Sequence, residues 1–126
     1  MTKIAIGSDH AGFELKEVLI SYLKTKNTEV FDKGCYSLER ADYPDAAHAV
    51  ATAVINKEAT FGILMCGSGN GINMSANKHQ GIRAALCWNC EISALARQHN
   101  DANILTLPAR YITIEEAKKY VDAFLS

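Results

Sequence analysis

Residues 61–65, Phe-Gly-Ile-Leu-Met, form an apolar run with no polar position to turn toward water. A strand of this kind is covered on both faces, the condition of a sheet sandwiched between helices. The run stops at Cys66-Gly67-Ser68-Gly69-Asn70-Gly71. Three alternating glycines let the backbone turn tightly and bring its N–H groups together with no side chain in the way. Residues 72–78 resume with helix-compatible types. Strand, glycine turn and helix start together make an anion-binding cradle at the positive end of a helix. Cys66, at its mouth, is a candidate base or nucleophile, because the surrounding N–H groups and the helix dipole favour a thiolate. A tight strand-to-helix turn with a buried cysteine is the plainer alternative.

The rest of the chain repeats the strand–helix alternation. Ile4, Ala5 and Ile6 form a first strand, and Asp9 can cap the helix whose apolar face is Leu15, Val18, Leu19, Tyr22 and Leu23. Residues 29–32 are a shorter, more polar strand suited to a sheet edge. Residues 34–42 read as a loop, and Pro44 suits the first turn of a helix faced by Ala47, Val50, Ala51 and Val54. Residues 82–86 and 103–107 supply the fourth and fifth strands. Between them Asn89 can cap a helix with Ile92, Leu95, Ala96 and His99 on one side. Thr113-Ile114-Glu115-Glu116 has the capping-box pattern and opens a last helix with Ala117, Tyr120, Val121, Phe124 and Leu125 inward.

Five strands alternating with helices predict a three-layer α/β/α domain over residues 1–126, with a five-stranded, Rossmann-like parallel sheet. Right-handed crossovers and the polar second strand favour the order 2-1-3-4-5. Ligands of such sheets bind beyond the carboxyl ends of the strands at the switch point, here between strands one and three. The turns that meet there, residues 7–10 and 66–71, are the most polar and glycine-rich strand exits in the sequence.

The 126 residues are 48% hydrophobic, enough for one real core. A formal net charge of -1 without a Lys/Arg cluster argues against nucleic acid or an anionic membrane as partner. No apolar run approaches the ~20 residues that span a bilayer, and no signal peptide precedes the first strand. The four cysteines do not form a disulfide-like framework, so a reducing cytoplasm is the expected setting.

Other motifs carry less. The glycine turn lacks the Gly-Lys-Ser/Thr of a phosphate-binding P-loop, and Ile72 stands where a dinucleotide fingerprint needs its third glycine. Cys66 replaces the first glycine of a nucleophile elbow around Ser68. Cys87-Trp88-Asn89-Cys90 is a C-x-x-C, so a thiol oxidoreductase is a competing reading, while two ligands alone make no zinc site. Cys35 reads as an ordinary small residue. His48 and Asp45 read as a solvated helix face, and His79 as facing water. His99 falls on the apolar stripe of its helix, yet His99-Asn100-Asp101 with Arg97 is a polar cluster at the helix end.

Taken together, IAIGSDHAGFELK, the Tyr43-Pro44 region, CGSGNGINMSANK, GIRAAL and RQHNDANIL with Arg110 beyond make the chain resemble the ribose-5-phosphate isomerase type B / galactose-6-phosphate isomerase family. The RQHNDAN segment resembles the ribose-phosphate branch more. The resemblance implies an aldose–ketose isomerase that needs neither metal nor cofactor. It implies a homodimer or dimer of dimers with active sites at the subunit interface. Cys66 would move a proton between C1 and C2; some relatives use a glutamate where Ile72 stands here. Gly67, Ser68, Gly69, Asn70 and Gly71 would hold a cis-enediolate oxygen, with Ser68 moving protons between oxygens. His99 would open the sugar ring. Asp9, His10, Tyr43 and Asn100 would bind the sugar and Arg110 the phosphate. Relatives continue into a glycine- and arginine-rich tail with further phosphate contacts. This sequence ends at Ser126, so weak phosphate binding is expected of it. Galactose-6-phosphate isomerisation, or phosphosugar binding without turnover, are the alternatives within that resemblance.

Overall fold

The computed structural model describes residues 1–35 and 42–126. The strands are β1 (Thr2–Ser8), β2 (Thr28–Asp32), β3 (Phe61–Cys66), β4 (Ala84–Leu86) and β5 (Ile104–Pro108). The helices are α1 (Phe13–Lys24), α2 (Tyr43–Ile55), α3 (Asn70–Asn77), α4 (Cys90–Gln98) and α5 (Ile114–Leu125). A 3-10 turn, His10–Gly12, leads into α1, and the Asp9 carboxylate accepts the Gly12 N–H at 3.0 Å. Asp9 thus caps this turn rather than α1, whose own N-cap is Gly12 without a side-chain hydrogen bond; the later helix starts follow the sequence pattern. Pro44 lies in the first turn of α2. Asn89 accepts the Ile92 N–H at 2.8 Å, and Thr113 and Glu116 close a capping box. Of the 34–42 loop, residues 36–41 lie outside the described residues.

All five strands are parallel, in the order β2-β1-β3-β5-β4. The expected order 2-1-3-4-5 is therefore corrected at its right-hand end. Ile104-Leu105-Thr106-Leu107-Pro108 is buried along its whole length, whereas β4 has three half-buried residues. A strand without a solvent face belongs inside a sheet, and a short one at its edge. Residues 82 and 83 also fall outside β4, because Ile82 N–H closes a turn onto the His79 carbonyl.

The exchange decides which face each helix covers. Steps β2→β3 and β3→β4 move one way across the sheet, and β1→β2 and β4→β5 move the other. With right-handed crossovers the two directions use opposite faces. Accordingly α1, α4 and α5 pack on Ile4, Ile6, Ile63, Met65, Leu105 and Leu107. Helices α2 and α3 pack on Ala5, Leu64, Cys66 and Ile104. Helix α2 comes so close that a Cβ on Gly62 would sit 2.6 Å from a Val50 methyl. No helix among the described residues is long and apolar enough to cross a membrane.

Three side chains depart from the sequence reading. His99 is exposed, because α4 ends at Gln98 and His99 is its C-cap, off the apolar stripe. His79 does not simply face water: its Nε2 lies 2.9 Å from His48 Nδ1. Lys16 is fully buried on the inner side of α1, with Nζ 2.9 and 2.8 Å from the two Asp32 oxygens and 2.9 Å from Glu17 Oε1.

Burial alone would lower the Lys16 pKa; hydrogen bonds to Asp32 and Glu17 outweigh it and raise the pKa above the ordinary 10.5. The folded state thus holds this proton more tightly, and the stability gained is whole below pH 10.5 and lost as pH rises through the raised value. Asp32→Asn removes the carboxylate that meets the buried ammonium with both oxygens and is expected to cost about 3 kcal/mol at neutral pH. Urea unfolding of both proteins measures the difference, which should shrink at pH values above that threshold.

Candidate active site

The carboxyl ends of β1 and β3 lie side by side, with Ser8 opposite Met65. The chain leaves β3 through Cys66, 5% exposed, and enters α3 over Gly67, Ser68 and Gly69. Gly69 is the N-cap of α3, with φ at 81°. A Cβ there would meet Leu86 Cδ1 at 2.4 Å and the Leu107 carbonyl carbon at 3.3 Å. Both the left-handed conformation and the close approach require glycine. Helix α3 thus starts with only three residues between it and Cys66, and the first N–H groups of a helix are the arrangement that stabilises negative charge. The exposed Ser68 hydroxyl accepts the Asn70 N–H at 3.2 Å, which holds Ser68 at the cradle mouth.

Several predicted residues border this cradle. The Tyr43 ring lies against Gly71, where a Cβ would stand 2.7 Å from the ring. The Arg110 guanidinium lies over Gly67, 3.2 Å from a Cβ placed there, and Arg110 N–H donates to the Gly67 carbonyl at 3.0 Å. Asp9 N–H reaches the Met65 carbonyl at 3.3 Å, so Asp9 is anchored to the residue before Cys66, with His10 next in the chain. Cysteine 66, the glycine turn, Ser68, Asn70, Tyr43, Arg110, Asp9 and His10 therefore belong to one end of the sheet.

His99 and Asn100 belong to the other. Gly62 N–H donates to the Asn103 carbonyl at 2.9 Å, and Ala102 N–H to the Ala96 carbonyl at 2.9 Å. The 99–103 turn thus sits beside the Gly62 end of β3, while Cys66 is four residues further along, roughly 13 Å at strand rise. One chain does not bring His99 and Cys66 together.

Cys35 is a contact that sequence reading missed. Its thiol donates to the Asp9 carbonyl at 3.1 Å and lies 3.7 Å from Ser8 Oγ, while its N–H donates to the Ser8 carbonyl at 2.9 Å. No local pattern signals this, since the partners are 26 and 27 residues away. The C-x-x-C pair offers little redox chemistry: Cys87 is fully buried, and burial pushes its thiol pKa up, away from a reactive thiolate.

Residues 4–126 match a protein-family model described as Ribose/Galactose Isomerase. Ribose-5-phosphate isomerase B of Escherichia coli (strain K12) is 49% identical over 125 residues, covering 99% of this chain and 84% of the relative. The crystal structure of a ribose 5-phosphate isomerase from Thermotoga maritima superposes with a TM-score of 0.97 at 54% identity, covering 99% of this chain and 86% of that one. Ribose-5-phosphate isomerase B from Mycoplasma genitalium, solved with bound ribulose-5-phosphate, gives a TM-score of 0.93 at 46% identity, covering 99% and 84%.

The bend at Gly69 is the geometric key to the cradle. Gly69→Ala is expected to lower stability by about 2 kcal/mol or more, from the left-handed backbone and the Leu86 clash. Thermal unfolding monitored by circular dichroism checks this; an unchanged melting temperature would contradict the described bend.

Proposed function

The chain belongs to the ribose/galactose isomerase family, and from that premise we propose that it interconverts ribose 5-phosphate and ribulose 5-phosphate. The observation that carries the reading is a buried thiol set beside a glycine-built helix N-terminus at the switch point of the sheet. Aldose–ketose isomerisation needs a base that moves one carbon-bound proton and donors that stabilise the oxygen charge formed meanwhile.

Cys66 takes the proton from C2 of the open-chain aldose and returns it to C1. The electron pair released passes into a cis-enediolate. Its oxygen faces the backbone N–H groups of residues 67–71, and one such oriented donor is worth ~3–4 kcal/mol in the transition state. Ser68 carries the hydroxyl proton between the two oxygens. Asp9, His10 and Tyr43 hold the sugar hydroxyls. Arg110, stacked over Gly67, meets the phosphate with a charge-assisted pair of hydrogen bonds.

His99 and Asn100 join this site from a second copy of the chain, as ring-opening acid and sugar ligand. Their placement at the opposite end of the sheet supports this, because only another subunit brings them to the cradle. A hollow of about 550 Å3 at the β4 edge also supports it. It is lined by Ile92, Leu95 and Ala96, with Arg83 and Asn100 among its polar residues.

Cys66→Ala is expected to abolish isomerisation with the fold intact, since no other group in the cradle takes a carbon-bound proton. His99→Asn is expected to be slow on cyclic ribose 5-phosphate. Mixing the two variants at equal amounts after mild dissociation should restore about a quarter of wild-type activity, from hybrid dimers with one complete site. No recovery on mixing would place both residues in one subunit's site or remove His99 from it.

Arg110→Ala is expected to raise KM for ribose 5-phosphate by roughly 10- to 150-fold, the equivalent of one charged hydrogen-bonding contact of ~1.5–3 kcal/mol. Turnover of unphosphorylated ribose should change little. Equal effects on both sugars would take the phosphate away from Arg110.

A further inference from the structure

The 99–102 turn is not shaped by its own hydrogen bonds alone. Asp101 has φ at 50°, a left-handed conformation that Asp tolerates and most side chains avoid. Two arginines hold the turn from outside. Arg97 Nη1 donates to Asp101 Oδ1 at 3.1 Å and to the Ala102 carbonyl at 2.5 Å. Arg83 Nε donates to the Asn100 carbonyl at 2.6 Å. The Arg97 guanidinium lies 4.7 Å from the centre of the Phe61 ring and 6.0 Å from that of Phe124. These two rings meet edge to face, 5.7 Å apart. The aromatic floor fixes the guanidinium plane, and the plane fixes where its donors point. From the far side, Asn103 links Arg83 N–H and the Gly81 carbonyl through its carboxamide, both at 2.9 Å.

Among the described residues, every side-chain hydrogen bond of Arg97 and Arg83 goes to the turn that carries His99 and Asn100, and none to the cradle of the same chain. We propose that Arg97 and Arg83 are positioning residues, which clamp the 99–102 turn so that the His99 imidazole and Asn100 carboxamide are aimed at the second subunit's cradle. This rests on the reading of His99 and Asn100 given under Proposed function. The two arginines act only through the turn. Loosening the clamp therefore harms ring opening and spares the proton transfer at Cys66.

Ribulose 5-phosphate separates those steps. Its C5 oxygen is esterified, so the C2 ketone has no hydroxyl placed to close a five-membered ring, and the sugar is open-chain. Deuterium entering C1 of ribulose 5-phosphate in heavy water thus reports proton transfer without ring opening. Conversion of ribose 5-phosphate requires both. Both rates are measured at saturating substrate for Arg97→Met, Arg97→Lys, Arg83→Met, His99→Asn and the Arg97→Met/His99→Asn pair. Met preserves the apolar stem over the rings; Lys keeps the charge but lacks the flat fork.

Arg97→Met and Arg97→Lys should convert ribose 5-phosphate at least tenfold more slowly while keeping deuterium exchange within threefold. Arg83→Met, whose exposed side chain the fold does not depend on, should slow conversion at least threefold. The double variant should be within threefold of His99→Asn alone, since both changes disable the same element. Losses that multiply in the double variant, or equal losses on both reactions, overturn the proposal. Wild-type conversion by Arg97→Met and Arg83→Met overturns it while leaving the role of His99 standing. Wild-type conversion by His99→Asn brings down that role, and the proposal with it.

Discussion

The parallel hydrogen-bonded ladder of β1, β3 and β5 is the interaction on which the molecule depends. Its strands are covered on both faces, so their polar chemistry has only the strand ends to occupy. Because the strands are parallel, the carboxyl ends of β1 and β3 emerge together, and the connections that leave them cross the sheet in opposite directions. Residues from β1, the start of α2, the β3–α3 turn and the segment after β5 therefore meet without any of them being close in sequence. The same geometry sends the end of α4 to the far end of the sheet, because helices between parallel strands run antiparallel to them.

Backbone conformation, rather than side-chain chemistry, does most of the shaping of the cradle. Gly69 turns left-handed beneath Leu86 and Leu107, and Gly71 gives way to the Tyr43 ring. The side chains exposed at the turn are Ser68 and Asn70, with the Cys66 thiol buried behind them. Arg110 and Tyr43 close the sides by resting on glycines. Any side chain at those positions would push them off, so the glycines also set the width of the opening.

Much of this was legible in the sequence because it was local. Helix caps at Asp9, Asn89 and Thr113, the proline start of α2 and the glycine turn are fixed by residues a few positions apart. The order of β4 and β5 was not local. Both orders obey the handedness rule, and only the burial of β5 along its whole length against the short, half-buried β4 decides between them. Lys16 did carry a signal: it stands at helical spacing with Leu19 and Leu23, in a stripe that should be apolar, and Asp32 ends the neighbouring strand. Cys35 carried none, since its partners stand at the end of the neighbouring strand, 26 and 27 residues back in the chain. His99 matched the period of its helix, but the helix stops one residue earlier, and a period says nothing beyond the end of the element that carries it.

The buried ammonium of Lys16 also makes the fold readable by covalent chemistry. Of the lysines, it alone has no exposed surface, and α1 with the edge strand β2 covers it. Acylation of an amine needs the nitrogen both reachable and deprotonated, and Lys16 meets neither condition while its ion pair stands. A water-soluble acylating reagent therefore tags the other lysines first and Lys16 only in molecules where α1 has lifted from β2. The pace at which that one peptide gains mass is a clock for the opening of the β2 edge, which through Asp32, Gly34 and Cys35 adjoins the rim of the cradle.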